Sequence, residues 1–452
     1  MSAAAPWSQL LDDAERRDPL GHAIHLGVAL LFLLLMPIGT APANILSLPL
    51  LLITLLRWRA VGPIVVRLLR WPPVFPALAL AAWMALSLSW SEDPRLGSSL
   101  LAPMRVLLIP ACLAPLLARR ELLGGTLLAG ILLEAAYQSI EYASNRLSPD
   151  FDGLGRFGGF FTDPGKASLW DAIGVCGGVA LLLTLPRRWC VAGAAIALLS
   201  MMGVIASGTR RQLAALAVVL PIMALAVLAV LPARRRRVLV AALVVIVGGA
   251  ALWPIVGTSI STRVRQTIAQ LSDPQKPMDD GRLSSPVLGL VHFDLRAFYW
   301  RASIDAWKRE PFTGCGLGGT RSVTASHDLR PQMEVWLRQE LTREYPARTP
   351  EENEADLQSR LVSTHPHSTW LQLLAETGVV GFVLGFVAWA LAFAGAVRSA
   401  VRSSGGDPVA LASAATLGLW AIGALFDASI NSTTLGAVAV AAALGIGRSR
   451  GR

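Results

Sequence analysis

Charge is what this 452-residue sequence has least of for its size: Asp, Glu, Lys and Arg make up 15% of it, against 54% hydrophobic residues. Soluble globular chains carry about 25% charged residues. A deficit of that size excludes an ordinary water-soluble fold and points to lipid as the solvent. Cysteine is scarce too. Cys112, Cys176, Cys190 and Cys315 show no C-x-x-C spacing, and three of them fall in apolar runs, which argues against a disulfide framework or a zinc site. The net charge of +10 is spread as short basic clusters between apolar runs, so no nucleic-acid partner is expected. The first 20 residues are polar and of mixed charge, so the first apolar run is expected to remain as a helix and not to be cleaved as a signal peptide.

What is present is a series of apolar runs of spanning length. Counting stretches of roughly 18–23 residues gives about twelve, at 22–40, 42–56, 73–90, 98–118, 121–143, 167–185, 189–206, 211–232, 238–256, 368–396, 407–426 and 431–447. The second is short enough to be tilted or half-spanning. The expected fold is therefore an all-α polytopic membrane protein in three parts. An N-terminal bundle of about nine spans covers 1–257, a helical loop covers 258–365, and a C-terminal bundle of about three spans covers 366–452. Arginines mark alternate turns: Arg57 to Arg70, Arg119 and Arg120, Arg187 and Arg188, Arg234 to Arg237, Arg398 and Arg402, and the tail from Arg448. By the positive-inside rule both termini are cytoplasmic and the 258–365 loop is external, which in a bacterium means periplasmic.

The loop is not a disordered linker, for its 14 Lys and Arg are balanced by 14 Asp and Glu and it carries helical periodicity. Phe293, Ala297, Trp300, Ile304 and Trp307 predict one helix face, and Met333, Trp336, Leu337 and Leu341 another. Thr349-Pro-Glu-Glu352 reads as a capping box with Pro at the first helical position. Gly314-Cys-Gly-Leu-Gly-Gly319 predicts a flexible turn; it lacks the Lys-Ser/Thr of a P-loop, so nucleotide binding is not expected.

Candidate chemistry gathers at outer span ends. Of the six histidines, His365 and His367 lie where the loop re-enters the membrane, and an external His near its unperturbed pKa of about 6.5 suits general-base work on a sugar hydroxyl. The plainer reading makes them interfacial polar fillers. No third metal ligand sits at helical spacing and Pro366 spoils a shared helical face, so no metal is expected. Arg210 and Arg211 break the charge rule by facing outward; they either snorkel to headgroup phosphates or bind an anionic ligand. Arg105 lies within or near the fourth span and is a functional candidate on cost alone, with Glu134 or Glu141 as the ordinary ion-pair partner. Arg156 and Lys166 flank the Gly158–Pro164 turn. Arg296 and Arg301 lie on the first loop helix, where Asp305 gives Arg301 a routine i,i+4 partner.

These residues resemble a known family. The stretch from His365 through Gly381, His-Pro-His-Ser-Thr-Trp-Leu-Gln-Leu-Leu-Ala-Glu-Thr-Gly-Val-Val-Gly, is similar to the signature of the O-antigen ligase and polymerase superfamily. On that match His367, followed by Ser368, aligns with the family's catalytic histidine. Arg296-x-x-x-Trp300 with Pro311-Phe-Thr-Gly-Cys-Gly-Leu-Gly318 resembles a second block, and Ser207-Gly-Thr-Arg210 a third, with Arg211 where glycine is often found. The Arg156 to Lys166 turn resembles the Gly-Phe-x-x-Pro element, with Gly165 in place of the common Asn. The resemblance implies a membrane-embedded, GT-C-like glycosyltransferase of the Gram-negative inner membrane with its active site facing the periplasm and no cofactor or metal. Its donor would be undecaprenyl-diphosphate-linked O-antigen and its acceptor lipid A–core, with membrane lipids around it. Ligase is the favoured subtype; polymerase and protein O-oligosaccharyltransferase are the alternatives within the superfamily. A lipid-linked glycan transporter or flippase is the alternative that is not an enzyme.

Overall fold

The computed structural model of the protein describes residues 6–146, 157–161, 163–186, 189–230, 235–243, 295–344, 348–362, 366–403, 407–426 and 432–446. Among these residues there is no strand. The elements are α1 (Trp7–Arg17), α2 (Pro19–Leu35), α3 (Thr40–Leu56), α4 (Trp58–Leu69), α5 (Val74–Ser87), α6 (Pro94–Leu101), α7 (Ile109–Leu113), α8 (Arg120–Arg146), α9 (Pro164–Thr184), α10 (Cys190–Ala206), α11 (Arg210–Val230), α12 (235–243), α13 (Leu295–Arg309), α14 (Thr320–Ser326), α15 (Arg330–Glu344), α16 (Pro350–Leu361), α17 (Thr369–Arg402), α18 (Pro408–Gly423) and α19 (Ser432–Leu444).

Helices occupy eleven of the twelve predicted spans; the ninth, 238–256, lies mostly outside the described residues. Among the described residues, five helices are long and apolar enough to cross a membrane, and four more apolar helices are shorter. The longest continuous helical run, Pro94–Asn145, is 52 residues. At 1.5 Å per residue it would measure about 78 Å, far beyond a hydrocarbon core of about 30 Å, so one straight crossing cannot hold all of it. Its first half is interrupted by 3₁₀ turns at Ala102–Leu108 and Ala114–Arg119. Pro103, Pro110 and Pro115 each remove a backbone donor there and tighten the winding. α3 and α4 meet at a bend of 104° at Arg57. α4 is amphipathic, burying Val61, Ile64 and Leu68 and leaving Arg59 exposed, as an interfacial helix does.

α9 is the axis of the bundle: 94% of its apolar window is buried. It packs on α10 through small residues, and a Cβ on Gly178 would lie 2.6 Å from both Gly193 O and Ala197 N. Such backbone approach is how helices associate where lipid removes the hydrophobic incentive.

The two ends of the bundle differ. At one end, arginines are engaged structurally. Arg57 is buried and donates to Asp18 at 2.8 Å and contacts His25 Nδ1 at 2.9 Å, so the two N-terminal histidines sit beside a buried guanidinium. Arg120 and Asp407, both buried, form an ion pair. At the other end lies the cap, α13–α16. Its own small core consists of Phe298, Tyr299, Met333, Leu337, Leu341, Leu357 and Leu361. The face of α13 differs from the predicted one. Phe298, Tyr299, Ala302 and Ala306 are buried, whereas Trp300, Ile304 and Trp307 are half-buried, because the small residues allow close packing. The capping box is present: Thr349 Oγ1 accepts from Glu352 N at 3.2 Å and Glu352 Oε2 from Thr349 N at 2.9 Å.

The predicted span 368–396 is not one rod. Gly378 has φ +64° and ψ −169°, outside helical space. The Trp370 ring lies within 6.0–6.1 Å of those of Phe382, Phe386 and Trp389. Those contacts require the arm 369–377 to lie side by side with 379–402, so the chain folds back at Gly378 and only the second arm has the length to cross.

Candidate functional site

The fold-back organises the site. Breaking the helix at Gly378 frees backbone groups, and the glycine-rich block of the cap takes them up. Cys315 N donates to Ala375 O at 2.9 Å, and Val379 N to Pro311 O at 2.8 Å. Trp83 Nε1 of α5 donates to Thr377 O at 2.9 Å. Buried Glu376 accepts from Thr320 Oγ1 at 2.7 Å and Gln372 Nε2 at 3.3 Å. The block is wedged against the α5–α6 turn as well: Ser91 Oγ donates to Leu317 O at 2.7 Å, and a Cβ on Gly97 would lie 2.3 Å from that same oxygen. The Gly314–Gly319 segment is therefore a docking element and not a flexible turn. Its glycines are needed because its backbone meets backbone. Burial within it pushes the Cys315 thiol up to about 12.

The lower end of the short arm carries His367. Its φ is +52°, the left-handed region that a residue with a Cβ seldom adopts. Tyr299 of the cap stacks on its ring at 5.7 Å and 23°, and the Tyr299 hydroxyl donates to Arg360 O. Ser368 caps the arm by accepting from Leu371 N, and Thr369 N donates to Ala424 O at 2.9 Å. His367 is half-buried at this seam. Arg296, exposed, lies one helical turn before Tyr299 on α13.

A second set of residues reaches the same end of α18 from the opposite side. Ser207-Gly208-Thr209 forms a tight turn: Gly208 has φ +62°, the two hydroxyls bond one another, and Thr209 N donates to Ser207 Oγ at 3.2 Å. It delivers Arg210 and Arg211 to the start of α11, and Gln212 lies about van der Waals distance from where a Gly423 Cβ would be. Arg211 Nη2 donates to Gly165 O at 3.0 Å, next to half-buried Lys166. His367 and Arg211 thus flank the Gly423–Ala424 end of α18.

Not every predicted residue converges. Arg105 donates to Asn44 Oδ1 at 2.7 Å on the α3 side of the bundle, so neither Glu134 nor Glu141 is its partner. Arg301 contacts Asp305 at 3.3 Å, the ordinary i,i+4 pair. His327 shares that aspartate at 3.3 Å. Arg156, His365, His292 and the side chain of Arg210 lie outside the described residues. Sequence reasoning missed Glu134, Gln138, Asp171 and Glu376 as features in their own right, although all four are fully buried in apolar helices. The signal was available: an intramembrane carboxyl is costly enough to be a functional candidate by default.

Directly below the seam, α11, α17 and α18 enclose an almost wholly apolar groove of about 270 Å³, walled by residues such as Val219, Met223, Trp389, Phe393, Leu411 and Ile422. The three helices that bring Arg211, His367 and the Ala424 carbonyl to the seam also form the groove.

A helical bundle with crossing segments and a cap docked on one end of it defines a multi-pass membrane protein. Residues 195–386 match the family model described as O-antigen ligase, so that stretch of the chain is similar to this family. The matched stretch runs from α10 to the second arm of α17 and so takes in both sides of the seam. No curated protein matches the chain.

Proposed function

We propose that this protein is an O-antigen ligase of the inner membrane. It transfers O-antigen from undecaprenyl diphosphate to a hydroxyl of lipid A–core on the periplasmic side. The observation that carries this reading is the meeting of a half-buried histidine and an arginine turn at the mouth of an apolar groove. An amphiphile with a phosphate head and a long hydrocarbon tail fits that combination: guanidinium groups hold the oxygens in bidentate fashion, and the groove takes the chain. In the reaction, the His367 imidazole accepts the proton of the acceptor hydroxyl. The acceptor oxygen forms its bond to the anomeric carbon while the bond from that carbon to the diphosphate oxygen breaks. The electron pair leaves on the diphosphate, where Arg211, Lys166 and Arg296, together with Arg210 and Arg156, stabilise the charge. Backside displacement inverts the anomeric centre, and the proton on His367 is then released to water. The cap roofs the seam, and both lipids enter sideways from the layer.

Purified protein incubated with polyprenyl-diphosphate-linked O-antigen and lipid A–core tests the reading. Ligated lipopolysaccharide is the expected product. Longer lipid-linked chains would make the protein a polymerase, and no covalent product would favour a transporter.

A further inference from the structure

Glu134, Gln138 and Glu141 lie on one face of α8, four and three residues apart, and all three bind the Phe157–Phe161 turn. Gln138 Nε2 donates to Phe157 O at 2.6 Å. Gly159 N donates to Glu141 Oε2 at 3.1 Å, and Phe160 N to Glu134 Oε2 at 3.2 Å. Tyr137, on the same helix, stacks on Phe160 with ring centroids 4.1 Å apart. Glu134 and Gln138 are fully buried. Carboxyls in such surroundings ordinarily pair with a cation. Here they take backbone N–H groups of a turn instead, an arrangement useful only where the turn itself must be held. The fit is tight: Gly159 has φ +58°, and a Cβ there would lie 2.2 Å from Glu134 Oε1.

The turn leads to the seam by two routes. Phe157 N donates to Ala206 O at 3.2 Å, immediately before the Ser207–Thr209 turn that delivers Arg211. Downstream, Asp163 caps α9 by accepting from Gly165 N at 2.8 Å, and Gly165 O holds the Arg211 guanidinium. The geometry points to Glu134, Gln138 and Glu141 as positioning residues that set the backbone carrying Lys166 and Arg211, and through it the affinity for the phosphate head of the donor. This inference rests on the proposed donor site.

The test is steady-state transfer with separate variation of donor and acceptor in the purified protein. Glu134→Ala should raise the donor KM about tenfold, equivalent to about 1.4 kcal/mol, leaving the acceptor KM unchanged. Glu134→Gln keeps an acceptor oxygen for Phe160 N and should stay within about threefold of the native donor KM. Should Glu134→Ala fail to give a monodisperse protein in detergent, Glu141→Ala and Tyr137→Leu carry the same expectation at partly exposed positions. Equal loss in the Ala and Gln variants overturns the inference, as does an unchanged donor KM in Glu134→Ala while Arg211→Gln raises it. An unchanged donor KM in both Arg211→Gln and Lys166→Gln instead overturns the donor-site reading beneath it.

Discussion

At His367 a histidine holds a backbone conformation that costs a residue with a Cβ about 1–3 kcal/mol, with φ at +52°. The surroundings enforce it: Tyr299 covers the ring, and Ser368 must cap the arm that follows. Strain of this kind persists where function requires the side chain. His367→Gly relieves it, so that variant should melt no earlier than the native protein in detergent yet give no ligated product. Cys315 makes a second prediction. With its thiol pushed up to about 12, little thiolate exists at neutral pH. In a variant retaining Cys315 alone, iodoacetamide should label the unfolded protein and leave the folded one nearly unlabelled at pH 7.5. The sequence made His367 legible through its neighbours from Pro366 to Gly381. It could not show that Tyr299 would be the residue covering the ring, since stacking across 68 positions is a matter of distance and not of order.

Among the elements, the fold-back at Gly378 decides most. Its conformation suits glycine, and a Cβ there would lie 2.1 Å from Phe312 O. Gly378→Ala should therefore undock the cap and lower the melting temperature measurably. Periodicity read this stretch as one span because both arms are apolar, and only a broken φ separates them. The buried Arg120–Asp407 pair is a further case, since the sequence presents Arg120 as a topology signal and the structure buries it. Arg120→Ala leaves a buried carboxylate alone and should cost about 3–5 kcal/mol; a double replacement by leucines should cost much less, as thermal unfolding of the set would show. In the cap, Arg360 and Arg348 hold the Asp356 carboxyl below the ordinary carboxylate range. A lowered folded pKa gives stability that is present above the unfolded value of about 3.9 and lost as pH falls through the folded value. Asp356 is close to solvent, so the effect is small. Its sign is checkable: acid below about pH 4 should loosen α16 in the native protein and less so in Asp356→Asn.

For the whole molecule, the apolar runs gave the class and the places of most of the helices, because hydropathy follows from what lipid demands of the backbone. The seam was only half legible. Motifs named His367 and the arginines, but the groove between α11, α17 and α18 is made of residues with no chemistry to announce them. Filling it tests its use: Gly418→Phe should slow transfer from a donor with an eleven-isoprene tail severalfold and barely affect a donor with a short tail, in the same ligation assay.

The docking of the cap has a consequence for how the protein is made. The hydrogen bond between Trp83 and Thr377 joins residues 294 positions apart, and Leu317 is held by Ser87 and Ser91 on one side while its block is held by α17 on the other. The cap's helices leave the ribosome before α17 does, so they have half a dock until the later span is inserted. Chains halted before residue 369 should carry a cap that proteases cut readily, and the same segment should become resistant once translation has passed the second arm.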